Sequence, residues 1–168
     1  GADVISVSTP GMKVHAGQYT NRPLFMRRNF ADAETLKAGR SLVGAKPFDG
    51  IFRVVFPSGS KGHEADLAQI ADPLAEFILE AENRQLVIMG HFDRKSLPPI
   101  LAKRCRIIGF ADYSRYLAHL AGADCVVLPL HDDAFNRCKS AVRALDAAAV
   151  GVPCIVSDVG DLPNVVRH

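Results

Sequence analysis

Long apolar runs are missing from this 168-residue chain. No stretch approaches the roughly 18 consecutive apolar residues that a membrane span needs, and the first residues carry no secretory-signal pattern. A strong charge of one sign is missing too: 20 Lys and Arg against 18 Asp and Glu leave +2 at neutral pH and a pI near 8.4, too mild to argue for nucleic acid. Aromatic residues make up 7% and form no stacking platform, which removes the second ingredient of such a surface. Cysteine is confined to Cys105, Cys125, Cys138 and Cys154, with no Cys-x-x-Cys pair, so these residues read as small core hydrophobes in a reducing compartment. No His/Cys/Asp cluster has metal-ligand character, and neither GxGxxG nor GxxxxGK followed by Ser or Thr occurs. The remaining class is globular: 48% hydrophobic, 23% charged, without low-complexity segments, and long enough for one domain or one domain plus part of another. The cytoplasm is the expected compartment.

The chain is organised around residues 126–158, VVLPLHDDAFNRCKSAVRALDAAAVGVPCIVSD. Residues 126–130 read as a buried strand, 131–137 as a polar loop, 138–150 as a helix and 154–158 as a second strand, together one βαβ unit. Ala141, Val142, Leu145, Ala148 and Ala149 keep the helical stripe, Gly151 stands where a C′ residue is wanted, and Pro153 blocks continuation. This reading puts Arg137 and Lys139 at a helix start, where the macrodipole is positive and free amides point outward, at a cost of about a few tenths of a kcal/mol per charge. A bound phosphate would compensate, accepting from the first-turn amides and the Ser140 hydroxyl and pairing with Lys139. The alternative is that both cations reach into water and are neutralised by Asp132, Asp133 and Asp146. Spacing alone leaves the two open.

Upstream, residues 2–8 read as a strand, Thr9 as a helix N-cap, Pro10 as the first helical residue, and 24–27 as another strand. About 30 residues bury too little apolar surface to stand alone, so this βαβ-like piece must dock onto something. Residues 33–49 are weakly patterned, with a short helix at 33–38, and read as a linker. Regular alternation follows: strand 51–56, helix 63–82, strand 85–89, helix 94–103, strand 106–108, helix 113–121 and strand 125–130. Strands separated by helices imply right-handed crossovers, and the near-continuous apolar runs VVF, LVIM, VVLPL and CIV imply a sheet covered on both faces. The expected class is therefore α/β, a Rossmann-like, doubly wound parallel sheet.

Ligands of such sheets sit beyond the C-terminal strand ends, near the switch in strand order. Two loops there are chemically loaded. In FPSGSKGH, residues 56–63, Gly59 and Gly62 let backbone approach an anion, Ser58 and Ser60 can donate, and Lys61 brings charge. Residues 136–140, opening with Asn136, form the second. Two glycines in so short a motif can equally be a tight turn. His63 can donate to a phosphate or sugar, or cap the helix beginning at Glu64; Asp146 can reach a ribose or sugar hydroxyl, or pair with Arg143 at i, i+3. A diphosphate is the natural occupant of two cationic loops on one sheet edge.

With these residues in hand, the chain resembles GT-B glycosyltransferases of family 4, in particular the bacterial surface-polysaccharide members. LDAAAVGVPCIVSD is similar to the family's LEA-A-GVPVVASD stretch, NRCKS to an N-x-x-K-S segment of one branch, and FPSGSKGH to that branch's SGT-x-x-H loop. ADVISVSTP and PLFMRRNFAD look like the end of an N-terminal domain. The resemblance implies three parts: residues 1–32 as the end of the acceptor domain, 33–49 as linker, and 50–168 as a nucleotide-sugar-binding domain cut short at its C-terminus. It further implies a nucleotide-diphosphate sugar as donor and no cofactor. Lys61 and Lys139 would stabilise the leaving diphosphate without a metal; Ser58, Gly59, Ser60, His63, Asn136, Ser140 and Asp146 would bind substrate. Asp146 takes the place of the family's second motif glutamate, whereas Cys138 replaces the first.

Retention of configuration is implied by the family alone, as is a glycan or lipid-linked acceptor met at the inner face of the membrane through a domain preceding Gly1. On this expectation the 168 residues bind nucleotide weakly and do not turn over substrate. Two other readings stand beside it: a non-catalytic Rossmann-like nucleotide-binding module, which Cys138 favours, and an interaction module whose cationic edge meets an acidic protein. Sugar, base, acceptor and oligomeric state are not encoded in any recognisable motif.

Overall fold

The computed structural model describes residues 2–59 and 62–166. The chain opens with β1 (Ile5–Val7), α1 (Pro10–Gly17) and β2 (Leu24–Met26), the strands pairing in parallel with Ile5 opposite Leu24. Thr9 caps α1, its Oγ1 accepting from the Met12 amide at 3.0 Å, and Pro10 supplies the preset φ of the first turn.

Next comes α2 (Ala33–Leu42), capped by Asp32, which accepts from the Thr35 amide at 2.7 Å. The segment expected to link two parts thus begins with a packed helix: Ala38 and Leu42 join the core, and a Cβ on Gly39 would lie 2.3 Å from the Ala149 carbonyl oxygen. Only a residue without a side chain allows so close an approach.

The remainder is β3 (Phe52–Gly59), α3 (Glu64–Ala68), α4 (Ala71–Leu79), β4 (Arg84–Gly90), α5 (Pro99–Lys103), β5 (Cys105–Ile108), α6 (Tyr113–Ala121), β6 (Cys125–Leu128), α7 (Val142–Ala149), β7 (Cys154–Val156) and α8 (Leu162–Val165). Strands β3 to β7 form one parallel sheet in the order β5-β4-β3-β6-β7. The order reverses between β3 and β6, so the loops leaving these neighbours face each other across the switch point.

Period-two alternation sorts the strand residues between two layers. Val54, Phe56, Leu86 and Ile88 pack with Leu67, Leu74, Ile78 and Leu101 of α3, α4 and α5, while Val55, Val87, Val126 and Leu128 pack with Leu117, Leu120, Ala144 and Ala147 of α6 and α7. Each fully buried Leu, Ile or Val contributes about 1.5–3 kcal/mol. The architecture is α/β and Rossmann-like: a five-stranded parallel sheet with a smaller two-stranded one.

Three helix expectations need correction. The helix expected over 63–82 is divided, because Pro73 would clash with the carbonyl four residues back; α4 restarts with Pro73 in its first turn, where no amide is required. The helix expected over 94–103 is a 3-10 turn (Arg94–Ser96) followed by α5, since Pro98 holds Leu97 extended at φ −86°, ψ 144°. The helix expected over 138–150 begins four residues later. Residues Asn136–Cys138 form a 3-10 turn, Lys139 is extended at φ −70°, ψ 143°, and α7 starts at Val142.

Candidate functional site

That late start removes the premise that Arg137 and Lys139 crowd a helix N-terminus. The exposed Arg137 grips Asp132 through Nε at 2.6 Å and Nη2 at 2.9 Å, the neutralising partner weighed above. Lys139 turns inward, its Nζ 3.5 Å from Asp66 Oδ2 and 4.9 Å from the centre of the Phe135 ring. Burial lowers its pKa, against the pull of Asp66.

Asp66, on α3, is the hub of the site and was not singled out in the sequence. It is 4% exposed and joins both loops: Oδ1 accepts from the His131 amide at 3.0 Å and Asn136 Nδ2 at 3.1 Å, and Oδ2 faces His63 Nδ1 at 2.9 Å and Lys139. Burial alone would raise its pKa, but the His131, His63 and Lys139 contacts outweigh that and hold it below the usual value. The local signal was the His63–Asp66 i, i+3 spacing.

His63 occupies the N-cap position of α3 but makes no capping bond. Its Nε2 lies 3.3 Å from Arg143 Nη2. A guanidinium can only donate, so Nε2 accepts and the proton sits on Nδ1, toward Asp66. Burial lowers the His63 pKa, and a neutral ring fits this geometry. In this arrangement Nδ1 donates to Asp66 and Nε2 accepts from Arg143.

Arg143, read earlier only as a partner for Asp146, points instead to the β3 end, donating to the Ser58 carbonyl at 2.7 Å. Burial lowers its pKa. Ser58 is fully buried and its hydroxyl donates to the His91 carbonyl at 2.7 Å, so the expected donation to a ligand is not available. Gly59 and Gly90 both have positive φ, 71° and 103°, and their backbones touch: a Cβ on Gly90 would lie 2.6 Å from the Gly59 nitrogen. Ser60 and Lys61, expected to bind and to stabilise a diphosphate, lie outside the described residues.

Asn136 is 3% exposed and braces the loop, its Nδ2 donating to Asp66 and to Asp133 Oδ2, while its own amide donates to Asp133 Oδ1 at 2.8 Å. It borders neither of the two clefts that meet at Arg143. Ser140 Oγ accepts from Asn29 Nδ2 at 2.9 Å and keeps its own proton to donate.

Two clefts meet at Arg143 and Val142. One, about 340 Å³, is bordered by His63, Phe135, Lys139, Ser140 and Arg143. The other, about 370 Å³, is bordered by Gly59, Gly90, Phe110, Tyr113 and Asp146. Both fall within the usual size of small-molecule sites. Asp146 is buried, its Oδ1 accepting from the Tyr113 hydroxyl at 2.7 Å, and burial raises its pKa. A third cleft of about 630 Å³ runs from Lys139 and Ser140 to Ser8, Met12 and His15. Among the described residues, no group of three or more His, Cys, Asp or Glu could hold a metal ion, and no helix is long and apolar enough to cross a membrane.

Among known proteins, the chain is 39% identical over 61 residues to a glycogen synthase of Mycobacterium tuberculosis, covering 36% of this chain and 14% of that one. It is 31% identical over 97 residues to an uncharacterized glycosyltransferase of Methanocaldococcus jannaschii, covering 54% and 24%. The chain thus spans less than a quarter of the length of these relatives. Sucrose-phosphate synthase from Thermosynechococcus elongatus superposes with a TM-score of 0.67 at 20% identity, over 99% of this chain and 43% of that one. WaaG, a glycosyltransferase involved in lipopolysaccharide biosynthesis, gives a TM-score of 0.67 at 13% identity, over 95% and 45%. At these identities the likeness is one of fold. The family model of the glycosyl transferases group 1 matches residues 54–168, well over half of the chain. The chain belongs to that family.

Proposed function

We propose that this chain is the donor-binding part of a glycosyltransferase that takes a nucleotide-diphosphate sugar and transfers the sugar to a glycan or lipid-linked acceptor. The observation that carries this reading is the junction at Arg143, where a cationic cleft and a more apolar one share a wall at the switch point of the sheet. The diphosphate occupies the first cleft, beside Lys139, Arg143 and the Ser140 hydroxyl. The nucleoside occupies the second, with the ribose toward Asp146.

As the bond from sugar to diphosphate breaks, negative charge grows on the leaving oxygens. Fixed cations stabilise that charge more than they stabilise the ground state, which lowers the barrier. Lys139 supplies this role directly, and Arg143 supplies it from the shared wall. Lys61, by its place in the sequence, joins them. His63 helps to aim Arg143 by accepting a hydrogen bond from its Nη2. On this reading transfer proceeds without a metal and with retention, residues 1–32 belong to the acceptor side, and the 168 residues alone bind but do not turn over.

The test is titration of the chain with UDP, GDP and their sugars, followed by calorimetry or amide spectra. Lys139→Ala should weaken diphosphate binding by roughly tenfold to a hundredfold, the effect of losing one charge-assisted bond. Failure of every nucleotide diphosphate to perturb residues around Lys139 and Arg143 at millimolar concentration would remove the reading.

A further inference from the structure

Three successive contacts tie the first 32 residues to the turn that carries Lys139. Thr9 is fully buried, and its Oγ1 donates to the Cys138 carbonyl at 2.8 Å while accepting from the Met12 amide. At the second residue of α1, a Cβ on Gly11 would stand 1.9 Å from the Arg137 carbonyl oxygen and 2.8 Å from its carbon. Those are backbone atoms, which cannot swing aside as a side chain can. Asn29, just after β2, donates to Ser140 Oγ at 2.9 Å.

Positions 137, 138 and 140 are thus held from the side of α1 and β2, and the intervening Lys139 sends its ammonium the other way, to Asp66. The turn has a further brace where the Asp161 amide donates to the Lys139 carbonyl at 3.1 Å and Arg28 Nη2 reaches Asp161 Oδ1 at 3.5 Å. Arg28 and Asn29 therefore reach the turn and its brace from the same short segment.

We propose that Thr9, Gly11 and Asn29 are positioning residues for Lys139, so that docking of the α1 unit and binding of a diphosphate at Lys139 are thermodynamically coupled. This inference rests on the assignment of the diphosphate to the cleft beside Lys139. The logic is that of linkage: if docked α1 favours the ligand-ready turn, bound ligand must favour docked α1 by the same factor.

The experiment compares binding of inorganic pyrophosphate, UDP and uridine to the chain and to its Thr9→Val, Thr9→Ser, Gly11→Ala and Asn29→Ala variants, with amide exchange in α1. Thr9→Val and Gly11→Ala should weaken pyrophosphate and UDP by roughly five- to tenfold, at the lower end of typical coupling factors, and leave uridine unchanged. Thr9→Ser should restore binding. Pyrophosphate should also slow exchange of the Met12 and Lys13 amides in the unsubstituted chain. Asn29→Ala removes an exposed contact and keeps the fold, so it should show a smaller loss, about twofold to threefold, even if Gly11→Ala proves too unstable to measure. Unchanged pyrophosphate affinity in Thr9→Val and Asn29→Ala, beside normal binding by the unsubstituted chain, would overturn the coupling and leave the donor site standing. A parallel loss of uridine binding would also overturn it, by showing a general loss of structure. No binding of pyrophosphate or UDP by the unsubstituted chain would overturn both.

Discussion

His63 Nδ1 stands 2.9 Å from Asp66 Oδ2, and both residues are almost wholly shielded from solvent between the loops that leave β3 and β6. The pair is a neutral imidazole donating to a carboxylate, with Arg143 closing its far side. Three elements, α3, the 3-10 turn and α7, thereby share one hydrogen-bonded cluster.

This pairing fixes the sign of a pH response. Burial holds the folded His63 pKa below its ordinary 6.5, so the unfolded chain takes up the proton first as pH falls. Stability is full above about 6.5, falls as the pH drops from there toward the folded value, and levels off below it. Asp66, whose pKa is held below 3.8, adds a separate loss only at more acid pH. Thermal melts should therefore shift downward as the pH falls below about 6.5. His63→Asn, which can still donate to Asp66 and does not titrate, should flatten that slope. An unchanged slope in His63→Asn would reassign the response to another group.

The contact between α2 and α7 makes a second prediction. A methyl on Gly39 would collide with the Ala149 carbonyl, whose oxygen and carbon lie 2.3 and 2.7 Å from the Cβ position. Gly39→Ala should cost about 1–3 kcal/mol in urea unfolding, the range for overpacking a close contact, despite the better helix propensity of alanine. If α2 were only a tether, the substitution would instead stabilise.

Asp146 supplies a third. Its pKa is raised chiefly by burial, so the ionised form carries a cost in the fold that is absent below about 3.8 and grows as pH rises through the interval to the folded value. Asp146→Asn keeps the shape and an oxygen for the Tyr113 hydroxyl, which is 2.7 Å away. At neutral pH the variant should unfold at an equal or higher urea concentration. With the ribose at this carboxylate, its affinity for UDP should fall about tenfold and its affinity for pyrophosphate should hold. Equal losses for both ligands would place Asp146 at the phosphates.

Local rules determined much of this molecule. Apolar runs alternating with amphipathic stretches dictated a parallel α/β sheet; Thr9 and Pro10 marked the start of α1, and Asp112 opens α6 at Tyr113, where the periodicity put it. Such signals are readable because period and capping act over a few residues. Only the tertiary structure decided the start of α7, the inward turn of Lys139, the direction of Arg143 and the central place of Asp66. Their partners lie far off in sequence: 65 residues separate Asp66 from His131, 73 from Lys139, and 85 separate Arg143 from Ser58. A buried carboxylate or guanidinium must find counter-charge and hydrogen bonds wherever the fold brings them, and no local pattern in a single sequence records that demand.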